Sequence, residues 1–312
     1  MNSERKIIIY GAGARGQGIY HFFCERGMGQ HIAGFCDKNY MELRNHTEIQ
    51  MYGFDEIKEK NYCFLISMTD KKVAAEVKKM FDANKCAYCT LDELAEMFGE
   101  DRVAFNREFC AFFHIRGMDK YFESAEGKAG MDIFWKEDSA FYKYFRKLNI
   151  DRVVELACGK GRHVPKYIDG AQEVVLVDIL PENISFCRER FKDYQNITYY
   201  CNDGKDLQEL KTESYTAVFS YDAMVHFELM DIYEYLKDFY RILEHGGCAL
   251  VHHSNNYKDY RASFANAPEG RSFMSKEVFA YLAYRVGFEI VEQQIIDWGV
   301  KDLDCITLLR KR

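Results

Sequence analysis

Residues 153–161 read Val-Val-Glu-Leu-Ala-Cys-Gly-Lys-Gly, and a second apolar run, Val174 to Val177, ends in Asp178. A strand carrying an acid near its end, a turn of small residues and a second strand ending in a carboxylate can together hold a nucleoside. The turn lets backbone N–H groups approach a ligand, and the carboxylate can accept hydrogen bonds from a ribose diol. A similar pattern opens the chain. Lys6-Ile7-Ile8-Ile9-Tyr10 runs into Gly11-Ala12-Gly13-Ala14-Arg15-Gly16, residues 17–26 look helical, and the run 32–36 leads to Asp37. A third group is imidazole: His226, four residues past Asp222, and His252 with His253 at the end of an apolar run. Imidazole suits a general base near neutral pH.

These residues need strand ends to position them. In the second half, the run 197–201 precedes Asn202-Asp203-Gly204, and 215–220 forms a buried strand leading to Tyr221 and Asp222. Leu243-Glu244-His245-Gly246-Gly247 reads as a turn before a strand over 248–252, and the runs 287–291 and 304–309 read as a closing antiparallel pair. In the first third, Phe64-Leu65-Ile66-Ser67 reads as another buried strand, and Thr90 with Glu93 carries the spacing of a capping box. Residues 134–148 place Phe134, Phe141, Phe145 and Leu148 roughly on one face of a helix.

The ordered set from Val153 onward resembles class I S-adenosylmethionine-dependent methyltransferases, with Ala157 where that family usually has Gly and His245 where Pro is usual. The resemblance covers residues 150–312 and implies a mostly parallel sheet closed by an antiparallel C-terminal strand. It implies S-adenosylmethionine contacts at Glu155, Ala157, Cys158, Gly159, Gly161, Asp178, Ile179, Asp203, Gly204, Ser220 and Tyr221, with Asp203 near the adenine. The opening segment resembles the small Rossmann-like domains that precede bacterial sugar acyltransferases and other surface-polysaccharide enzymes. That likeness implies a nucleotide or nucleotide-sugar site at Gly11, Gly13, Gly16 and Asp37. A nicotinamide-dependent oxidoreductase using the same glycines, and a non-catalytic protein with a vestigial nucleotide fold, remain alternatives.

Methyl transfer to oxygen requires removal of a hydroxyl proton. His226 and His253 are the candidate bases, with His252 beside the latter; transfer by proximity alone is the other route. The expected acceptor is a hydroxyl of a small molecule such as a sugar or nucleotide sugar. Asp222, His226, His253 and Asn255 could together face a cation, although no metal is expected. Ser220-Tyr221-Asp222 is not the Asn/Asp-Pro-Pro-aromatic motif of enzymes that methylate base amino groups. The loop 257–272, with Tyr260, Arg261, Asn266 and Arg271, is either a substrate lid or a solvated surface loop.

Composition sets the frame. The chain has 312 residues, 48% hydrophobic, with a formal net charge of −7. Its length suggests two domains, and its acidic balance argues against nucleic-acid binding. The fold class expected is α/β: two Rossmann-like doubly wound domains at 1–100 and 150–312, joined by a helical connector at 101–149. The eleven cysteines are scattered in apolar runs and read as reduced core residues, although Cys86 and Cys89 have the spacing of half a zinc site. No run resembles a signal peptide or a membrane span, which points to a cytoplasmic protein without membrane partners. A homo-oligomer is compatible with everything above.

Overall fold

The computed structural model describes residues 5–44, 49–116 and 121–312. The chain divides into two compact units. The first comprises Met1–Asp119 with Phe264–Gly270, and the second comprises Lys120–Ser263 with Arg271–Arg312.

The first unit is built on five strands: β1 (Ile7–Tyr10), β2 (Ile32–Cys36), β3 (Met51–Tyr52), β4 (Cys63–Ile66) and β5 (Ala87–Cys89). All four pairings are parallel, in the order β3-β2-β1-β4-β5. β1 and β4 are continuous apolar runs because a parallel sheet is covered on both faces. The chain reverses its direction of strand addition between β1 and β4, so this unit has a topological switch point beside the glycine turn. The capping box at Thr90 is formed: Thr90 Oγ1 accepts from the Glu93 N–H, and Glu93 Oε2 accepts from the Thr90 N–H.

Helix Arg102–Arg116 belongs to this unit rather than to a free connector. It buries Phe105, Phe109 and Phe113 in the same core as Phe22 and Phe23. Phe264 and Ala265, from the later return segment, complete that core.

The second unit carries a seven-stranded sheet: β6 (Arg152–Leu156), β7 (Glu173–Asp178), β8 (Ile197–Cys201), β9 (Tyr215–Ser220), β10 (Leu243–Ser254), β11 (Phe288–Trp298) and β12 (Val300–Lys311). Its order is β11-β12-β10-β9-β6-β7-β8, and only β12 runs against its neighbours. Helix Leu229–Ile242 covers one face, burying Ile232, Tyr235, Leu236, Phe239 and Ile242 at helical spacing.

The single amphipathic helix expected over 134–148 is instead two helices, Lys128–Trp135 and Ala140–Phe145. The break comes from Ser139, whose hydroxyl accepts the Tyr142 N–H and starts the second helix as an N-cap. Phe134, Phe141, Phe145 and Leu148 still meet in one cluster against the sheet. Among the described residues no helix is long and apolar enough to cross a membrane.

Candidate functional site

The turn after β6 is shaped by left-handed backbone at three positions: Ala157 (φ 57°), Gly159 (φ 56°) and Gly161 (φ 74°). At Gly161 a side chain is excluded twice over, since a Cβ there would lie 2.5 Å from the Phe191 ring. Ala157 holds a conformation that L-residues disfavour, at the position where glycine is usual in the resembling family. The turn is tied to β7, because the Cys158 N–H donates to the Val177 carbonyl at 3.0 Å and the Gly159 N–H donates to Asp178 Oδ2 at 2.8 Å.

Asp178 ends β7. Its Oδ1 also accepts from the Leu180 N–H at 2.9 Å and from Asn183 Nδ2 at 3.1 Å. Burial raises its carboxyl above the ordinary range, and these three donors act against that rise. A carboxylate has about four acceptor positions, so one remains after three donors. Ile179 beside it, together with Ala157 and Gly159, stays partly exposed. Asp203, after β8, is exposed and pairs with Lys205, and Gly204 follows it in left-handed conformation. Ser220 ends β9, Tyr221 follows it, and both are buried; the Ser220 hydroxyl has no hydrogen-bond partner among the described residues.

These observations fit a nucleoside cofactor. The turn has no side chain beyond Cβ at three of its positions, an acid with an open lone pair stands beside it, and a buried hydroxyl without a partner ends the neighbouring strand. Glu155 behaves differently from expectation. It is 2% exposed, and its Oε2 accepts from the Tyr167 hydroxyl at 2.6 Å. Burial pushes its carboxyl up to about 8, against the lowering effect of that hydrogen bond. It therefore ties β6 to Tyr167 inside the core, and a direct cofactor contact is the weaker assignment for it. Cys158 is also buried, with its thiol against the Gly159 carbonyl.

Two helices before β6 flank the turn. Phe122 would touch a Cβ placed on Gly159, Lys160 Nζ lies 4.8 Å from its ring centroid, and the Arg162 guanidinium stands 4.6 Å from the Phe134 centroid.

His226 lies in the turn between β9 and helix Leu229–Ile242, half-buried. Its N–H donates to the Ala223 carbonyl, and its own carbonyl accepts the Ser272 hydroxyl. His253 corrects the other base expectation. It is fully buried, its Nδ1 donates to the Ser254 carbonyl, its Nε2 meets Thr307 Oγ1, and its ring stacks on Phe279 at 3.9 Å. Burial holds that ring near a pKa of about 3, so it has neither access nor basicity for substrate. Among the described residues no group of three or more His, Cys, Asp or Glu side chains is arranged to hold a metal ion, so Asp222, His226 and His253 do not converge on a cation.

The expected lid divides. Tyr260 is 80% exposed and Arg261 is exposed beside it, whereas Phe264–Gly270 belongs to the first unit, where Asn266 donates to Asp92. Arg271 is not a free cation for an anionic substrate. It is buried and donates to both oxygens of Asp304, through Nε at 3.0 Å and Nη2 at 2.7 Å. Sequence reasoning missed this pair, and it missed Arg162, which donates to Asp222 Oδ2 at 3.0 Å. The only signal for Arg162 was its place directly after the glycines.

In the first unit, Gly13 caps helix Ala14–Glu25 with open space where a Cβ would stand, whereas a Cβ on Gly16 would lie 2.0 Å from the Gly11 carbonyl oxygen. Asp37 Oδ2 accepts the Ala12 N–H at 2.9 Å. Arg15 turns away from the glycine turn, against Phe109 and Phe113, and donates to the Ala265 carbonyl. Cys89 is buried and Cys86 bonds the Lys58 carbonyl, an arrangement of packed thiols rather than of paired ligands.

Residues 153–247 match the family model described as a methyltransferase domain. That match runs from β6 into β10 and takes in the glycine turn and Asp178. No curated protein matches the chain in sequence. Among solved structures, a chain in the complex between the Haloferax volcanii Trm112 methyltransferase activator and a methyltransferase is 18% identical, with a TM-score of 0.46 over 61% of this chain and 97% of that one. An S-adenosylmethionine-dependent methyltransferase from Mesorhizobium loti is 16% identical, with a TM-score of 0.46 over 56% and 99%. A protein from Pyrococcus horikoshii is 19% identical, with a TM-score of 0.44 over 62% and 92%.

Proposed function

We propose that this protein is an S-adenosylmethionine-dependent methyltransferase, that it methylates a hydroxyl of a small molecule, a sugar or nucleotide sugar, and that its first unit binds a nucleotide or nucleotide sugar. The observation that carries the first part is the left-handed turn at 157, 159 and 161, joined to Asp178 through the Gly159 N–H. In this reading Gly159 and Gly161 admit the cofactor to the backbone, Asp178 accepts from its ribose with the lone pair left open, and Asp203 borders its adenine. S-adenosylmethionine supplies, when bound, a methyl group on a positively charged sulfur. His226 would take the acceptor's hydroxyl proton while that oxygen bonds the methyl carbon and the carbon–sulfur bond breaks, its electron pair returning to sulfur so that S-adenosylhomocysteine leaves. The open cap at Gly13 and the Ala12–Asp37 hydrogen bond support the nucleotide reading of the first unit.

Calorimetry with S-adenosylmethionine and S-adenosylhomocysteine tests the cofactor assignment, which fails if neither binds the folded protein. Mass spectrometry of products from a library of sugars and nucleotide sugars tests the acceptor. A product methylated on nitrogen or carbon would reject the hydroxyl.

A further inference from the structure

Asp222, directly after β9 and Tyr221, has φ 59°. Left-handed backbone costs a non-glycine residue about 1–2 kcal/mol, less for Asp, and it persists where the surroundings fix it from several sides. Three contacts do so here. The Asp222 N–H donates to His252 Nδ1 at 3.1 Å, its Oδ2 accepts from Arg162 Nη2 at 3.0 Å, and the preceding Tyr221 ring stacks on the His252 ring with centroids 4.4 Å apart.

His252 is itself held. It is fully buried on β10, and its Nε2 lies 3.1 Å from Asp304 Oδ2 on β12. Asp304 in turn takes both donors of the Arg271 fork, and Arg271 lies over the Trp298 ring at 5.6 Å. Burial alone would raise the Asp304 carboxyl; the hydrogen bonds from His252 and Arg271 outweigh it and hold the group ionised. An ionised carboxylate only accepts, so the His252 proton sits on Nε2 and the Nδ1 lone pair is aimed at the Asp222 amide.

Stability does not account for this chain of groups. Buried ion pairs are often matched or bettered by apolar residues of the same volume. What the chain supplies is direction, and it ends at the carboxyl end of β9, where an open α/β sheet binds its ligand. Through Arg162 it also reaches the glycine turn after β6.

We propose that His252, Asp304 and Arg271 are positioning residues for methyl transfer, fixing Tyr221 and Asp222 as the wall beside the transferred methyl group. The proposal rests on the methyltransferase reading above, and its test needs no knowledge of the acceptor. Two ligands probe the wall: S-adenosylhomocysteine, which has nothing at the methyl position, and sinefungin, in which a carbon replaces the sulfur and carries an amine at the methyl position.

His252→Phe keeps the ring and loses both hydrogen bonds. It should leave S-adenosylhomocysteine affinity within about twofold and weaken sinefungin by about fivefold or more, a change of about 1 kcal/mol. His252→Gln, which can accept from Asp222 and donate to Asp304, should restore the ratio. Arg271→Lys, which keeps the charge and loses the fork, should shift it in the same direction as His252→Phe. The proposal is overturned by an unchanged ratio in His252→Phe, by failure of His252→Gln to restore it, or by parallel loss of both affinities in His252→Phe and Arg271→Lys, which would assign the network to folding. Absence of S-adenosylhomocysteine binding in the wild type would instead reject the cofactor assignment itself.

Discussion

The Gly159 N–H donates to Asp178 Oδ2 at 2.8 Å, joining the turn after β6 to the end of β7. The first unit repeats the device, with the Ala12 N–H on Asp37 Oδ2 at 2.9 Å. In each case a turn amide is satisfied by the acid that ends the next strand, and that acid is oriented before any ligand arrives. The units differ in the element that the turn leads into. The first runs into helix Ala14–Glu25, whereas the second leads into two short 3₁₀ turns, Val164–Lys166 and Ile168–Gly170.

Replacing Asp178 separates its two duties. Asp178→Ala should weaken S-adenosylmethionine binding by about 1–3 kcal/mol through loss of a charge-assisted ribose contact and of the anchor for Gly159. Asp178→Asn keeps an acceptor for the Gly159 amide and should lose less. Calorimetry on both, with circular dichroism to confirm the fold, decides; unchanged affinity in Asp178→Ala removes the residue from the site.

Ala157 should prefer to be glycine. Left-handed backbone disfavours Ala by about 1–2 kcal/mol, and the greater freedom of glycine in the unfolded chain offsets part of the gain. Ala157→Gly should therefore stabilise the second unit by up to about 1 kcal/mol, raising its melting temperature by a few degrees. A lower melting temperature would show that the Ala157 methyl packs favourably enough to outweigh its strain.

Glu155 should make stability depend on pH. Its carboxyl is raised from an ordinary value of 4.5 to about 8 by burial, so the folded state binds more protons than the unfolded state between those values. Its contribution is complete below the unfolded value and is lost as pH rises toward 8. Glu155→Gln keeps an acceptor for Tyr167 and removes the titration, so its melting temperature should fall less than that of the wild type over this window. Thermal melts from pH 5 to 8.5 compare the two slopes, and equal slopes would contradict the raised pKa.

Two glycines of the first unit should respond in opposite ways. Gly13→Val meets open space at a φ of −66°, so the fold should survive while binding of any nucleotide or nucleotide sugar is lost and S-adenosylmethionine binding is retained. Gly16→Ala forces a Cβ against the Gly11 carbonyl and should destabilise the unit itself. Thermal shift with a nucleotide panel reads both. No ligand-dependent shift in the wild type would leave this turn as scaffold.

His226→Ala should keep cofactor affinity and lose roughly 10²–10⁴ in turnover if the ring is the base. The wild-type rate should then depend on pH in a way that the variant's rate does not. A variant that retains most activity would leave transfer to proximity alone.

The central strands of both units were legible in the sequence because parallel strands buried on both faces need continuous apolar runs, as in Ile7-Ile8-Ile9 and Val174-Val175-Leu176-Val177, whereas the two-residue β3 carries no such run and β10 begins at Leu243, inside the expected turn. Glycine spacing and strand-end acids are equally local, so the turns at 11–16 and 157–161 could be read along the chain. What the sequence could not decide is where side chains far apart in it meet. His252, Arg271 and Asp304 span 52 residues, and no local pattern says that they form one buried chain of hydrogen bonds ending on Asp222. The same holds for His253, which looks like a base at a strand end. β-Strand side chains alternate between faces, so adjacent histidines on β10 point to opposite sides of the sheet: His252 toward Tyr221 and His253 onto Phe279. Local sequence chose the elements; the pleat and the packing across the sheet chose which of their polar groups meet.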